Sequence, residues 1–415
     1  MDRLRCANAG SAARRPLNVR ILLALTFYRP HLSGLTIYVE RLARALAEHR
    51  HEVTVLASQH DRSLPLESVE DGVRVVRVPV RFWIGKGPVM TSYGRTASRL
   101  LRSHDVLSLH LPQLEAASLA LRARRRRRPV FLTYHCDLLL PSGLTNRLAD
   151  RVVAVSNRTA AAAADRVVAY TVDYAESVAL LRRFRSKLEV IPPPVVMPRP
   201  ADGALEAFRR AHGLSEDEGA KRTVIGMAAR LATEKGVDVL LDAVSMLEHR
   251  VPDLKILFAG PYEGVAGEEA YRARVAPAID ALGDRWIFLG PLDPVAEMPA
   301  FLSSLDCLVV PSVNSTESFG LVQVEAMLSG TPVVASGLPG VREVVRTTGM
   351  GEVVSPRDPV ALSEAIVRIV QNPERYRRPR TDIEAIYDLD ATVERYERLF
   401  ADSLRARSPA SPHAP

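Results

Sequence analysis

Thr223-Val224-Ile225-Gly226-Met227-Ala228-Ala229-Arg230-Leu231-Ala232-Thr233-Glu234-Lys235-Gly236, running on into Val237 to His249, is the stretch whose reading decides the fold. Thr223 to Met227 reads as a strand buried on both faces, because its apolar residues run on without alternating. From Val237 to His249 the apolar positions recur at helical spacing. Strand, short loop and helix open a βαβ unit, and the alternation continues downstream. Strands are expected at Lys255 to Ala259, Trp286 to Leu289, Cys307 to Val310 and Pro332 to Ala335. The intervening helices are Glu268 to Leu282, Pro294 to Ser303 and Phe319 to Ser329. Repeated units of this kind give an α/β fold with a doubly wound parallel sheet. Helical patterns at Pro359 to Gln371 and Ile383 to Leu404 finish it.

The same alternation fills the first half of the chain. Asn18 to Leu25, Glu52 to Leu56, Val73 to Val78, Val106 to Leu109 and Val130 to Thr133 read as strands, with helices at Thr36 to Glu48 and Gln113 to Arg122. Ala-Asp-Arg-Val-Val-Ala occurs twice, at 149–154 and 164–169. A helix at Tyr174 to Phe184 and a strand at Leu188 to Ile191 follow the second copy at the short distances usual in α/β units, so Arg166 to Tyr170 is the strand and the first copy is helical. Pro192 to Pro200 holds five prolines in nine positions, a stiff connector that can be neither helix nor central strand. The expected organisation is a disordered leader (1–16), a Rossmann-like domain (17–192), a Pro-rich hinge (193–200), a second Rossmann-like domain (201–380), a C-terminal helix able to cross back to the first domain (381–405) and a disordered tail (406–415). Two such sheets facing each other make a cleft at the carboxyl ends of their strands, where ligands of open α/β sheets bind.

Length and composition agree with this division. At 415 residues the chain exceeds the size at which a single core usually splits, and 47% hydrophobic with 25% charged residues is ordinary for globular domains. Ile21 to Leu25 is far too short an apolar run to cross a bilayer, so an unsecreted, cytoplasmic protein is expected. Cys6, Cys136 and Cys307 form no C-x-x-C pair, and neither a disulfide framework nor a zinc site is indicated. A net charge of +7 implies an acidic partner: a nucleotide, a phospholipid surface or nucleic acid. Arg124 to Arg128 is either a solvated helix end or a contact for a phosphate surface at the inner face of a membrane.

Two loops carry the chemistry. In Thr316-Glu317-Ser318-Phe319-Gly320-Leu321-Val322-Gln323-Val324-Glu325-Ala326, Ser318 is the expected N-cap, and the amides of Phe319, Gly320 and Leu321 open the helix unpaired as an anion site. Glu317 and Glu325 bracket that helix start, roughly 10 Å apart along its axis; on spacing alone either a nucleoside-diphosphate sugar lies between two hydroxyl-binding carboxylates, or Glu317 is a capping-type carboxylate and Glu325 an exposed helix residue. Arg230 and Lys235 follow a strand at the same sheet edge. There a planar fork and a mobile point charge suit a diphosphate, while the two cations taken alone read equally as solvated loop residues.

Taken together, residues 223 to 346 resemble glycosyltransferase family 4 of the GT-B fold, in which a paired-glutamate motif, an Arg/Lys phosphate clamp and a Gly-rich turn recur. Here these are Glu317 to Glu325, Arg230 with Lys235, and Ser336-Gly337-Leu338-Pro339-Gly340. The resemblance implies two Rossmann-like domains facing each other across a cleft, acceptor side first and donor side second. It implies retaining transfer of a hexose-type sugar from a nucleoside-diphosphate sugar to an acceptor hydroxyl, with no essential metal or other cofactor. Sugar, lipid-linked or small-molecule acceptors fit, as does a glycolipid or cell-envelope glycan precursor. Catalytic roles would fall to His135, Arg230, Lys235 and Glu317. Donor binding would fall to Gly34, Ser318, Phe319, Gly320, Leu321 and Glu325. Ser33-Gly34-Leu35-Thr36 is similar to the family's Gly-rich loop, with Ser33 where a second Gly is common, and Thr133-Tyr134-His135-Cys136-Asp137 to the segment bearing a histidine beside the reacting sugar. His110 is a second candidate for that wall. Ile191-Pro192-Pro193-Pro194-Val195 stands where Pro-Asn-Gly is common.

Other classes fit less well. A dinucleotide oxidoreductase needs G-x-G-x-x-G after a strand, and none follows 18–25 or 223–227. Nucleic acid is not expected as a partner, because aromatic residues are 6% and absent around Arg124 to Arg128. A catalytically silent homologue acting as a nucleotide-sugar binding protein would keep the same fold.

Overall fold

The computed structural model describes residues 18–84, 87–137, 144–214, 222–248, 250–251 and 253–407. The expected leader with Cys6, residue 249 at the end of one expected helix, and 408–415 of the expected tail lie outside these residues.

The first sheet contains β1 (Arg20–Ala24), β2 (Glu52–Gln59), β3 (Glu67–Glu70) and β4 (Val73–Pro79). A separate hairpin of β5 (Phe82–Ile84) and β6 (Gly87–Val89) follows, and then β7 (Val106–Leu111), β8 (Val130–Tyr134), β9 (Arg166–Ala169) and β10 (Leu188–Val190) complete the sheet. Its spatial order is β10-β9-β8-β7-β1-β2-β4-β3, parallel except for β3 on β4. The second sheet contains β11 (Thr223–Ala228), β12 (Leu254–Ala259), β13 (Trp286–Gly290), β14 (Cys307–Val310), β15 (Val333–Ser336) and β16 (Gly351–Val354). All its pairs are parallel, in the order β13-β12-β11-β14-β15-β16. Two Rossmann-like parallel sheets are thus present.

The apolar runs follow from this architecture. Ile21 and Leu23 of β1 belong to one core with Tyr38 and Leu42 of the helix Gly34–Glu48, while Leu22 and Ala24 face the opposite core with Ala97 and Leu101 of the helix Tyr93–Ser103. A strand covered on both faces has no polar side, so its sequence shows no alternation.

Residues 191–203 form no helix or strand, and the C-terminal segments tie this linker down. Arg380 Nη2 donates to the Met197 carbonyl at 2.6 Å, and Thr392 Oγ1 donates to the Pro192 carbonyl at 3.2 Å. The last helix, Leu389–Arg405, returns to the first domain. There Tyr396 shares its hydroxyl with Tyr38 (2.6 Å) and Thr133 (2.9 Å), and the Phe400 ring packs on Phe131 at 4.8 Å. Val393, Tyr396 and Phe400 are buried, each worth about 1.5–3 kcal/mol. The partly exposed pairs of Glu397 with His49 and His51 add less, because such pairs contribute about 0–1 kcal/mol each.

Several elements differ from the sequence reading. The helix expected from Phe319 begins at Leu321, and its N-cap is Gly320 at φ 75°, not Ser318. The expected helix Tyr174 to Phe184 is two pieces, Val172–Ser177 and Ala179–Arg183, separated by extended Val178. The edge strand β3, the β5–β6 hairpin and the helices Tyr93–Ser103 and Ala204–Ala211 were not anticipated. β3 is four residues of mixed polarity with no buried position, and Ala204–Ala211 buries no residue fully, so neither leaves an apolar pattern to read.

Removing the aromatic anchor of the returning helix, Phe400→Ala, should cost about 3–5 kcal/mol, and Tyr396→Phe about 1 kcal/mol, in urea unfolding followed by a probe in the first domain. Equal midpoints for wild type and Phe400→Ala would show that the helix does not stabilise that domain.

Candidate active site

In the second sheet the strand order reverses between β11 and β14, so the loops after these two strands diverge and leave a crevice at the carboxyl edge. These are the loops singled out in the sequence. Gly236, at φ +72°, lets them touch, since a Cβ there would lie 2.2 Å from the Pro311 carbonyl oxygen. The Val313 amide donates to the Glu234 carbonyl at 3.0 Å and completes the lock. In this frame Lys235 Nζ donates to Glu317 Oε2 at 2.6 Å, and Ser312 Oγ donates to the same oxygen at 3.4 Å. Both charged side chains are mostly buried, so their attraction is screened less than that of a surface pair. Arg230 is at the rim, 43% exposed, with Nη2 donating to Glu234 Oε1 at 2.8 Å.

Beside this pair the helix Leu321–Leu328 presents its start. The amides of Phe319, Gly320, Leu321 and Val322 meet no acceptor among the described residues, leaving donors and the positive helix end directed at the crevice. Phe319 is buried against Tyr170 and Tyr387, so its backbone alone is offered to a ligand. The Ser318 hydroxyl donates to the His135 carbonyl, joining the two domains. Glu325 is also buried, and its Oε1 accepts from Arg41 Nη2 of the first domain at 2.6 Å. A second bridge is bidentate: Arg342 donates to both oxygens of Asp173 at 2.6 and 2.9 Å, and the Gly340 amide adds a third bond at 2.8 Å.

The facing wall starts with Ser33, which caps the helix Gly34–Glu48 by accepting from the Thr36 amide at 3.2 Å. Its extended backbone at φ −154° is open to any residue, so serine in place of glycine is accommodated here. Gly34 opens the helix toward unfilled space. His135 is different: its ring is buried, with Nε2 bonded to His110 Nδ1 at 2.9 Å and Nδ1 bonded to the Tyr170 hydroxyl. Burial, and then the neighbouring His110, hold the His135 imidazole well below its usual pKa, and burial alone lowers His110 to about 3. Only the backbone of His135 reaches the second domain. Cys136, the next residue, is half-buried against the Lys235–Glu317 pair, and its thiol is pushed up to about 12 by burial and then by the negative charge of Glu317.

The structure therefore brings Lys235, Glu317, Ser318 and the amides of Phe319, Gly320 and Leu321 into one crevice, with Glu325 along the same helix. Arg230 is held to one side, and the His135 ring is turned into the first domain. Arg41, Cys136, Asp173 and Arg342 join the seam without having been legible, because no local pattern links partners as far apart as Arg41 and Glu325, 284 positions. Arg124 to Arg128 precede β8, whereas His135 follows it, so the arginine run lies at the opposite edge of the sheet from the cleft. Two of its members pair there, Arg124 with Asp165 at 3.7 Å and Arg128 with Asp105 at 3.6 Å. Among the described residues no helix is long and apolar enough to cross a membrane.

Residues 33–194 match the family of the glycosyl transferase 4-like domain, and residues 211–384 match glycosyl transferases group 1. Over 86% of this chain and 87% of the relative, the sequence is 32% identical to 2-deoxystreptamine N-acetyl-D-glucosaminyltransferase of Streptomyces fradiae. It is 28% identical to D-inositol 3-phosphate glycosyltransferase 1 of Catenulispora acidiphila, over 89% and 90% of the two chains. In three dimensions it is similar to the Anabaena protein HepE solved with UDP-glucose, at a TM-score of 0.71 and 18% identity over 94% and 100% of the chains. With both halves matched and a curated relative aligned along nearly the whole length, this chain belongs to the GT-B glycosyltransferases of family 4 type and is a glycosyltransferase.

Proposed function

We propose that the enzyme moves a hexose-type sugar from a nucleoside-diphosphate sugar to a hydroxyl of a ring polyol, with retention at the anomeric carbon and without a metal ion. The observation that carries this reading is the Lys235–Glu317 pair at 2.6 Å beside the unpaired amides of Phe319 to Val322, at the reversal of strand order. The solved relative binds UDP-glucose, and the curated relatives are named for acceptors that share a six-membered carbocycle bearing hydroxyls. As the bond from the anomeric carbon to the diphosphate breaks, its electron pair passes to phosphate oxygen. Lys235 and the amides neutralise that charge, with Arg230 adding charge from the rim. Glu317, held by Lys235, accepts from donor-sugar hydroxyls, and Glu325 from the ribose, in exchange for Arg41. The acceptor oxygen bonds to the anomeric carbon from the face the diphosphate leaves, and its proton passes to the departing phosphate. His135 acts through its carbonyl, which fixes Ser318 at the helix start.

Peripheral contact with an anionic membrane surface, through the outward arginines of 125–127, is part of the same proposal, with an intracellular enzyme working at the inner face. Replacing Arg126 and Arg127 by Ala should weaken binding to anionic vesicles in low salt without altering donor hydrolysis. Unchanged vesicle binding would leave the run as a solvated helix end.

Lys235→Ala should lower release of nucleoside diphosphate from the preferred donor by about 10²- to 10³-fold, and Arg41→Ala should change donor KM more than kcat. EDTA should leave the wild-type rate untouched. A folded Lys235→Ala protein at the wild-type rate would remove the clamp from the mechanism.

The lowered imidazoles make a pH prediction. Their folded pKa values lie below the unfolded value of about 6.5, so as the pH falls below that value the unfolded chain takes up protons that the native chain refuses, and stability is lost on the acid side. kcat should therefore show no ionisation of His135 between pH 6 and 8 while the thermal midpoint falls below about pH 6.5. A rate break near 6.5 that disappears in His135→Gln would mean that the ring itself takes part.

A further inference from the structure

Past the carboxyl edges of β1, β2 and β4, the first domain carries a cluster of rings that the donor crevice does not use. Phe27 follows β1, His60 follows β2, and Trp83 is on the β5–β6 hairpin. Phe27 and Trp83 are nearly parallel, with planes 10° apart and centroids 6.2 Å apart. His31 packs on Phe27 at 4.8 Å, and His60 stands edge-on to Phe27 and His31 at 5.9 and 5.8 Å. Trp83 remains 47% exposed. An indole held this way offers a flat apolar face with imidazole nitrogens beside it. His60 Nδ1 is shielded from solvent and makes no well-formed hydrogen bond among the described residues, so a ligand hydroxyl or amino group there would complete its bonding.

This shelf lies at the carboxyl edge of the first sheet, the same edge that carries Ser33 and Gly34. The pKa of His31 is lowered by loss of water on packing, and then by the positive charges of His60 and Arg230, the latter from the opposite domain. Arg29, which precedes His31, likewise acts on Asp293 of that domain. Arg29 and Arg77 beside the shelf are neutralised by Glu40 at 2.6 Å and Glu70 at 2.9 Å, so the surroundings suit a ring bearing hydroxyls better than a bare phosphate.

We propose that Phe27, His31, His60 and Trp83 form the subsite for the acceptor, a six-membered polyhydroxylated carbocycle whose C–H face lies on Trp83 and Phe27 and whose hydroxyl or amino groups meet His31 and His60. Ring C–H groups and ammonium groups are both attracted to the negative face of an aromatic ring. The assignment rests on the transferase reading for one point, that a hydroxyl of the bound ring receives the sugar.

The chain has two tryptophans, and Trp286 is buried, so in Trp286→Phe protein the emission reports on Trp83 alone. Full-length protein would be titrated with myo-inositol, with 2-deoxystreptamine and with phosphatidylinositol vesicles, using phosphatidylcholine vesicles as control. A saturable emission change with a free cyclitol, or with phosphatidylinositol but not phosphatidylcholine, is expected and names the source of the ring; it should be lost in His60→Ala. In the otherwise wild-type chain, Trp83→Ala should raise acceptor KM at least tenfold, with Trp83→Phe close to wild type and acceptor-independent donor hydrolysis unchanged. No saturable response to any cyclitol, an equal response to both vesicle types, or an unaltered acceptor KM in Trp83→Ala overturns the subsite. A protein that binds the ring but turns over no donor would instead overturn the transferase reading and leave the subsite standing.

Discussion

Burial of both faces of two parallel sheets is the constraint on which the rest of this molecule depends. A strand such as β1, with Ile21 and Leu23 in one core and Leu22 and Ala24 in the other, has no side left for chemistry. Polar groups can reach a ligand only from the strand ends, and the carboxyl ends have room only where the strand order reverses. In the second sheet that point lies between β11 and β14, whose loops hold Lys235 and Glu317. Gly236 is needed because the two loops must approach to backbone contact before the ammonium and the carboxylate can meet.

The seam between the domains is built from groups of the same kind as those that would hold a donor. Arg41 takes the Glu325 carboxylate, Arg342 takes Asp173, and the Ser318 hydroxyl takes the His135 carbonyl. Removing one member of a buried charged pair leaves the other uncompensated, which is costly, so a donor that claims Glu325 must also offer Arg41 a new partner. Under the proposed mechanism, donor binding and domain closure are then coupled through that exchange. The returning helix supplies the apolar counterpart: Tyr396 and Phe400 anchor it on the first domain, while Arg380 and Thr392 hold the linker.

Basic charge is unevenly placed. The excess that raises the net charge to +7 is concentrated in part at Arg124 to Arg128, at the far end of β8 from the cleft, while the crevice holds Lys235, Arg230 at its rim and amides that meet no acceptor among the described residues. Amides at a helix start attract an anion without carrying a full charge that must be stripped of water.

Continuous apolar runs, helical spacing and the Pro-rich break at 192–200 were enough to place two α/β domains and most strands, because periodicity and proline act locally. Arg230, Lys235, Glu317 and Glu325 were legible for a related reason, since each lies in or beside a strand–loop–helix unit whose pattern is short. Local pattern also misled at Ser318: a good capping residue stood two positions before the cap that Gly320 supplies, because the Ser318 hydroxyl is used across the domain seam. His135 was singled out as a candidate from its segment, but the direction of its ring was not legible. Which of its two nitrogens meets His110 or Tyr170 depends on strands 25 and 35 positions away. The shelf of Phe27, His31, His60 and Trp83 left no trace for the same reason: four isolated rings become neighbours only when β1, β2 and the hairpin end side by side. Sequence fixes what each segment can be through short-range sterics and apolar spacing; tertiary packing alone decides which distant polar groups share a site, because that choice is made by the order of strands in a sheet.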